Sequence, residues 1–150
     1  MTSKKIWGNA TWYVMHTLAY KLKEDKDVNG LIQQILQICE NLPCIDCRNH
    51  AVNILSKSNI KNINNKQQLI LFLLQFHNIV NRKLNNPDFT LEEHNELYSR
   101  SRTKEVVKHF IQVTQNQNYN EKSLLQSYYR KLFLKNFIIY MNNNINNYNL

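Results

Sequence analysis

The sequence predicts an all-α protein. Its 150 residues include only two glycines and two prolines, so few positions break helices. Apolar residues recur with the period of an amphipathic helix through several long stretches, and no convincing strand-like alternation accompanies them. A chain of this length can bury a core of its own, so one main domain is expected.

Five helices are expected in the first hundred residues. The second should end before Pro43, because the residue before a proline disfavours the helical conformation. Thr90 and Glu93 have the spacing of a capping box, which predicts the start of the fifth helix. The expected helices cover residues 7–22, 28–41, the stretch from Cys44 onward, 66–84, and Thr90 to about Arg100.

The remainder of the chain is expected to form an addition to this first domain. We assign residues 1–102 to the main domain and residues 103–141 to a helical C-terminal extension. The extension should contain helices at 105–113 and 122–141, separated by the polar run 114–120. Six of the nine residues in 142–150 are asparagine, a composition that predicts a disordered tail.

Charge and composition exclude some classes of protein. The net charge is +8, but no dense block of lysine and arginine occurs, so nucleic-acid binding is not indicated. No apolar run of signal-peptide or membrane-spanning type is present, so no membrane association is expected. Three cysteines are too few for a secreted disulfide scaffold. We therefore expect a cytoplasmic protein.

The segment Leu42-Pro43-Cys44-Ile45-Asp46-Cys47 carries the clearest chemical signal. Pro43 suits a helix start, and a helix beginning there would place Cys44 at its positive end. Such a position favours a thiolate and lowers the thiol pKa, so the pair is a candidate redox disulfide. A zinc site made with Cys39 and His50 is an alternative. Cys39 itself falls on the apolar side of its helix and is expected to be buried.

Two polar stripes lie on otherwise apolar helices. Trp12, His16 and Tyr20 follow one another at intervals of four residues, and so do His77 and Asn81. The first stripe can be an ordinary core face, and the second can be the solvated edge of a helix. Both can also be the walls of a binding site, because polar groups beside an apolar stripe are costly to bury without a partner.

Three separated motifs together resemble the Erv/ALR family of flavin-linked sulfhydryl oxidases. The first is Trp7-Gly8-x3-Trp12-x3-His16, and the second is Pro43-Cys44-x2-Cys47, followed by His50. The third motif is His77-Asn78-x-Val80-Asn81-Arg82-Lys83-Leu84, followed by Pro87-Asp88-Phe89. The resemblance covers roughly residues 7–100.

The resemblance implies a four-helix bundle with a short fifth helix that binds FAD non-covalently. It assigns disulfide exchange with the substrate to Cys44 and a position nearest the isoalloxazine to Cys47. No metal is expected. The cofactor-binding positions carried over are Trp7, Gly8, Trp12, His16, His50, His77, Asn78, Val80, Asn81, Arg82, Lys83 and Tyr98.

The implied activity is oxidation of protein dithiols to disulfides, with electrons passing through FAD to O2 to give H2O2. The family's structural disulfide and separate shuttle cysteines are absent, so a partner protein with its own dithiol is expected, either thioredoxin-like or a viral C-x-x-C protein. A homodimer is also implied. The short form resembles those of large DNA viruses, with action in the host cytoplasm or the virion. The alternatives are a basic helical binding module with a structural or zinc-binding C-x-x-C, and a thioredoxin-like fold.

Overall fold

The protein is a helical bundle in a computed structural model that describes residues 4–116 and 124–150. The predicted all-α class is confirmed, since every secondary-structure element in the described residues is a helix. The start of the last helix predicted at Lys122, and part of the predicted polar run, lie outside the described residues. The helices are α1 (Lys4–Lys21), α2 (Val28–Glu40), α3 (Ile45–Ser56), α4 (Lys66–Lys83), α5 (Leu91–Ser99), α6 (Thr103–Gln115) and α7 (Leu124–Asn144).

Side-chain caps determine where three of these helices begin. The Asn65 side chain accepts a hydrogen bond from the Gln68 amide and caps α4. Thr90 and Glu93 form the predicted capping box, each side chain bonding the other's backbone amide. Cys44 is the N-cap of α3. The starts predicted from local sequence signals therefore agree with the structure.

Helix α1 is the centre of the molecule. It packs against α2, α4, α5 and, most extensively, α6. Its residues 14–19 are all buried, so this part of the helix has no solvent-exposed face, unlike an amphipathic surface helix. Any polar side chain on this stretch must find its partners inside the protein.

The C-terminal helices share the core of the first five. Helix α6 packs on α1, and α7 packs on both α2 and α6. Phe110, Phe133 and Phe137 contact one another and belong to the same buried cluster as Val14 and Leu18 of α1. Helices α6 and α7 are thus integrated into the bundle. None of the helices in the described part of the chain is long and apolar enough to cross a membrane.

The C-terminal tail differs from the expectation of disorder. Helix α7 continues to Asn144, and residues 145–150 return to the end of α1. The Asn149 amide donates to the Lys21 carbonyl at 2.7 Å, and Tyr148 is 1% exposed. The Tyr148 hydroxyl also bonds that of Tyr140. The segment is polar in composition, but the buried Tyr148 side chain and the backbone hydrogen bond of Asn149 anchor it to the end of α1.

We expect Tyr148→Ala to lower the free energy of unfolding by about 3 kcal/mol, because it empties a buried aromatic site. Tyr148→Phe should cost about 1 kcal/mol, since only the hydrogen bond is lost. Chemical denaturation followed by circular dichroism measures both values. The exposed Asn143→Ala variant is the control, and equal stability of Tyr148→Ala and this control would contradict the docked tail.

Candidate functional site

The C-x-x-C pair lies at the N-terminal end of α3. The Cys44 sulfur accepts a hydrogen bond from the Cys47 backbone amide at 3.3 Å, as predicted for a cysteine at a helix start. Cys44 and Cys47 are partly exposed, and Ile45 between them is 60% exposed. A large partner can therefore approach this turn directly.

The expected lowering of the thiol pKa is wrong for Cys47. Its pKa is raised to about 11 by partial burial and by the neighbouring Cys44 sulfur. Lys4 at the start of α1 acts in the opposite direction, through its positive charge and a hydrogen bond. The prediction considered only the helix end, whereas the raised pKa comes first from burial of the thiol and then from the Cys44 sulfur. Lys4 is thus the cation beside the sulfur of Cys47.

The third cysteine is separated from this pair by its environment. Cys39 is 1% exposed within the core, and burial raises its pKa to about 12. This agrees with the expectation of a buried thiol. The zinc alternative has no support in the part of the chain described, which holds no group of three or more metal-ligating side chains. All three cysteines are free thiols in the structure.

His50 continues the site one turn after Cys47. Burial lowers the pKa of His50, and the positive charge of Lys83 lowers it further. The electrostatic effect indicates that the end of α4 lies close to the first turns of α3. The predicted positions His50 and Lys83 are therefore on the same side of the protein.

A cluster of aromatic rings forms where α1, α4 and α5 meet. The rings of Trp12 and His77 are stacked, with centroids 4.0 Å apart and planes 7° apart. His16 stacks on both of them. Tyr98 lies against His16, with ring centroids 4.6 Å apart. The two stripes noticed in the sequence are therefore in contact, as a single wall would require.

These rings differ in their access to a ligand. Trp12 is partly exposed and His77 keeps 8% of its surface, whereas His16 is 0% and Tyr98 2% exposed. His16 and Tyr98 therefore lie behind Trp12 and His77 in this structure. They support the wall from behind, and the cofactor contact expected of them stays a prediction.

The polar residues of the third motif have two kinds of environment. The Asn78 side chain donates to the Phe89 carbonyl and accepts from the Phe89 amide. Arg82 makes a two-pronged ion pair with Asp88. Both residues thus hold the turn after α4 in place. Val80 is packed against the core.

Asn81 is different from its neighbours. It is 7% exposed, and its side-chain amide makes no hydrogen bond within the described residues but is not among their fully enclosed unpaired polar atoms, so the amide still reaches solvent. A nearly buried amide without a partner is costly unless it meets water or a ligand. Asn81 is consequently the polar group of this motif best suited to ligand recognition.

Gly8 adds open space to the same face of α1. A Cβ atom built on Gly8 would meet nothing within 4 Å, so no contact within the protein requires glycine here. Lys4, Gly8, Trp12 and His16 follow at intervals of four residues and share one helix face, the α1 face. Gly8 therefore lies between the lysine beside Cys47 and the stacked Trp12 ring. Trp7 is partly exposed next to it.

Two residues of the cluster were not predicted from the sequence. His94 is fully buried and bonds His16, and Phe89 lies against His77 with ring centroids 5.4 Å apart. The four-residue spacing of His94 and Tyr98 on α5 is the signal that was available. An open cleft of about 530 Å³ flanks the cluster, but its lining includes Glu93 and Glu96, which disfavour an anionic ligand.

Taken together, the α1 face suits a flat aromatic molecule that carries negative charge. Trp12 on this face and His77 of the adjoining α4 provide stacking surfaces, and Asn81 of α4 provides a nearly buried amide. Lys83 and the neighbouring His50 provide positive charge and polar contacts at one border. The face reaches the cysteine pair through Lys4.

Comparisons with known proteins identify relatives of this chain. A family model described as the Erv1/Alr family matches residues 9–100. An FAD-linked sulfhydryl oxidase of African swine fever virus (isolate Tick/Malawi/Lil 20-1/1983) is 33% identical over 98 residues, which are 63% of this chain and 82% of the relative. That of isolate Pig/Kenya/KEN-50/1950 is 32% identical over 103 residues, 67% and 86% of the two chains.

A plant relative extends the comparison. The FAD-linked sulfhydryl oxidase ERV1 of Arabidopsis thaliana is 31% identical over 93 residues, which are 60% of this chain and 48% of the relative. No solved structure matches the chain significantly.

Proposed function

Because the chain belongs to the Erv1/Alr family, we propose that it is an FAD-linked thiol oxidase whose Cys44 and Cys47 form the redox-active disulfide. The observation that carries the proposal is the position of this pair at the start of α3, partly exposed and next to Lys4 of the α1 face. The relatives' names favour an enzyme over the alternative of a binding module.

The α1 face fits FAD. We propose that Trp12 and His77 stack on a ring of the cofactor and that the Asn81 amide bonds a polar edge. Gly8 would allow close approach of the cofactor to the helix, Trp7 would lie beside it, and His50 and Lys83 would border its charged part. His16, Val80 and Tyr98 would support this wall from behind, while Asn78 and Arg82 would hold the turn beside it. When bound, FAD supplies an acceptor for two electrons from a dithiol and a donor to O2.

The protein residues perform the exchange with substrate. A substrate thiolate attacks the Cys44 sulfur of the Cys44–Cys47 disulfide and releases the Cys47 thiolate. The second substrate thiolate then attacks the mixed disulfide and releases Cys44. Lys4 stabilises the charge released on Cys47, whose raised pKa favours uptake of a proton at neutral pH. Exposure of Ile45 beside Cys44 suits a protein substrate.

The partner and the setting are further proposals. We propose a substrate protein that carries its own dithiol, with O2 as acceptor, and a role in forming disulfides of viral proteins in the host cytoplasm, which the viral relatives support. A homodimer remains a prediction.

We expect Cys44→Ser and Cys47→Ser each to abolish dithiol oxidation, because either change removes the disulfide. Cys39→Ser should keep most of the activity, because Cys39 is enclosed in the core. Oxygen consumption with dithiothreitol, on protein whose folding and FAD content have been checked, measures all three. Full activity of Cys47→Ser would contradict the proposed disulfide.

Gly8→Ala tests the proposed cofactor face. In protein freed of FAD, the new methyl group should stabilise α1 by about 1 kcal/mol, since alanine favours a helix over glycine. FAD binding should weaken about tenfold, because the methyl group fills the space left for the cofactor. Gly30→Ala on α2 is the matched control, since its Cβ would make only ordinary contacts with Tyr140. Unchanged FAD affinity in Gly8→Ala would remove this face from the site.

A further inference from the structure

Helix α7 carries apolar residues on two sides. Its inner side, which includes Phe133 and Phe137, belongs to the core. Four further apolar or aromatic residues, each between 41% and 61% exposed, lie on its outer side: Leu125, Tyr128, Tyr129 and Leu132. They follow one another at helical intervals and form one stripe, which we call the outer stripe. It presents roughly 400 Å² of mostly apolar surface, a size typical of interaction sites.

The outer stripe lies at the end of α7 that is nearer to the cysteine pair. Arg130 Nε donates to the Asn41 carbonyl at 3.3 Å, and the Tyr140 ring lies 3.5 Å from a Cβ atom built on Gly30. Helix α7 therefore runs beside α2 in the opposite direction. The first turns of α7, which precede Arg130, extend past the end of α2 to the level of the turn that leads to Cys44.

Two arginines hold this turn in place. Arg130 is 1% exposed and binds the Asn41 carbonyl from α7. Arg48 of α3 donates from Nη1 to the next carbonyl, that of Leu42, at 2.6 Å. Hydrogen bonds from charged donors are stronger than those between neutral groups. The turn before Cys44 is thus fixed to α7 on one side and to α3 on the other.

The outer stripe and Cys44 are close enough for one partner to cover both. The three residues from Asn41 to Cys44 span at most about 11 Å. On α7, the rise from Leu125 to Arg130 is about 7.5 Å. An interface of standard size covers a patch roughly 30 Å across on each partner. A protein that presents a thiol to Cys44, over the exposed Ile45, therefore also reaches the outer stripe.

The charges beside the outer stripe indicate the kind of partner. Lys131 and Lys135 are exposed and lie one turn apart beside Tyr128. The sequence of α7 contains no aspartate or glutamate to neutralise them. Pairing of the stripe with the same stripe of a second copy would bring these lysines together, which is unfavourable. Acidic groups around an apolar surface suit this border better.

We propose that the outer stripe of α7 is the docking surface for the protein dithiol substrate. The substrate is recognised by apolar side chains and acidic groups that flank its cysteines. The proposal rests on the proposed function, because it takes Cys44 as the residue that exchanges with a protein dithiol. The stripe has no part in the chemistry. It raises the local concentration of the substrate thiol at Cys44, so small dithiols gain nothing from it.

Kinetics with two synthetic peptides test the docking surface. Both peptides contain a Cys-x-x-Cys sequence. The first has leucine, phenylalanine and glutamate four to six residues from the cysteines, a distance of about 13–20 Å in an extended chain. The second has serine at those positions. We expect the wild type to oxidise the first peptide with a kcat/KM about tenfold higher than the second.

The double variant Leu125→Ala/Tyr128→Ala should lose this preference and oxidise dithiothreitol at the wild-type rate. Ile139→Ala is the matched control, because Ile139 is 48% exposed at the far end of the same helix. It should keep the preference. Circular dichroism checks that all variants are folded. Equal kcat/KM of the wild type for the two peptides, or an equal loss of dithiothreitol oxidation in the double variant, would overturn the proposal.

A binding measurement separates this proposal from the proposed function. The first peptide, labelled with fluorescein and with serine in place of both cysteines, should bind the wild type and Ile139→Ala about tenfold more tightly than the double variant. Fluorescence anisotropy measures this without any chemistry, so it decides the docking surface even if the wild type does not oxidise dithiothreitol, which would contradict the proposed function. A wild-type dimer that the double variant converts to a monomer in analytical ultracentrifugation would assign the stripe to a second copy and overturn the proposal.

Discussion

The enclosure of α1 is the constraint on which the rest of the structure depends. Four helices pack around it, and its residues 14–19 have no access to solvent. His16 lies inside this stretch, so its two ring nitrogens require partners from other helices. His77 from α4 lies 3.0 Å from one of them, and the His94 ring from α5 packs perpendicular to the His16 ring with its Nε2 atom 2.8 Å from the other. The positions of α4 and α5 around α1 are thus coupled to a polar cluster in an otherwise apolar interior.

The three cysteines differ in their burial. Cys39 lies in the core, where burial keeps its thiol protonated. Cys44 and Cys47 lie at the first turn of α3, where the helix end is open to a partner. One chain therefore holds a structural thiol and an accessible pair only a few residues apart. Burial, more than the helix dipole, sets the thiol pKa at Cys47.

Features that depend on neighbouring residues could be predicted from the sequence. The capping box at Thr90 and the helix start at Cys44 are both correct. Features that depend on long-range packing could not. His94 gains its role only when α5 meets α1, and the raised pKa of Cys47 comes first from burial, which the positive charge of Lys4 on α1 opposes. The six asparagines of residues 142–150 predicted disorder, because composition does not show that Tyr148 is buried against the bundle and holds the segment in place.

The resemblance of three motifs identified the family, and the structure adds how the residues divide the work. Positions carried over as a single binding set fall into an outer layer, represented by the partly exposed Trp12, and an inner layer, represented by the almost fully buried His16 and Tyr98. Sequence spacing cannot separate these layers, because both occur at helical intervals on the same faces. Only the packing of α5 and α6 against α1 shows which side is closed.

The most direct test of the account is the visible absorption spectrum of the purified protein during reaction with a dithiol. The account predicts flavin bands that disappear when dithiothreitol is added without oxygen and return when air is admitted. That result would join cofactor and chemistry in one experiment. A folded protein that remains colourless after incubation with FAD, or flavin bands that the dithiol does not change, would contradict it.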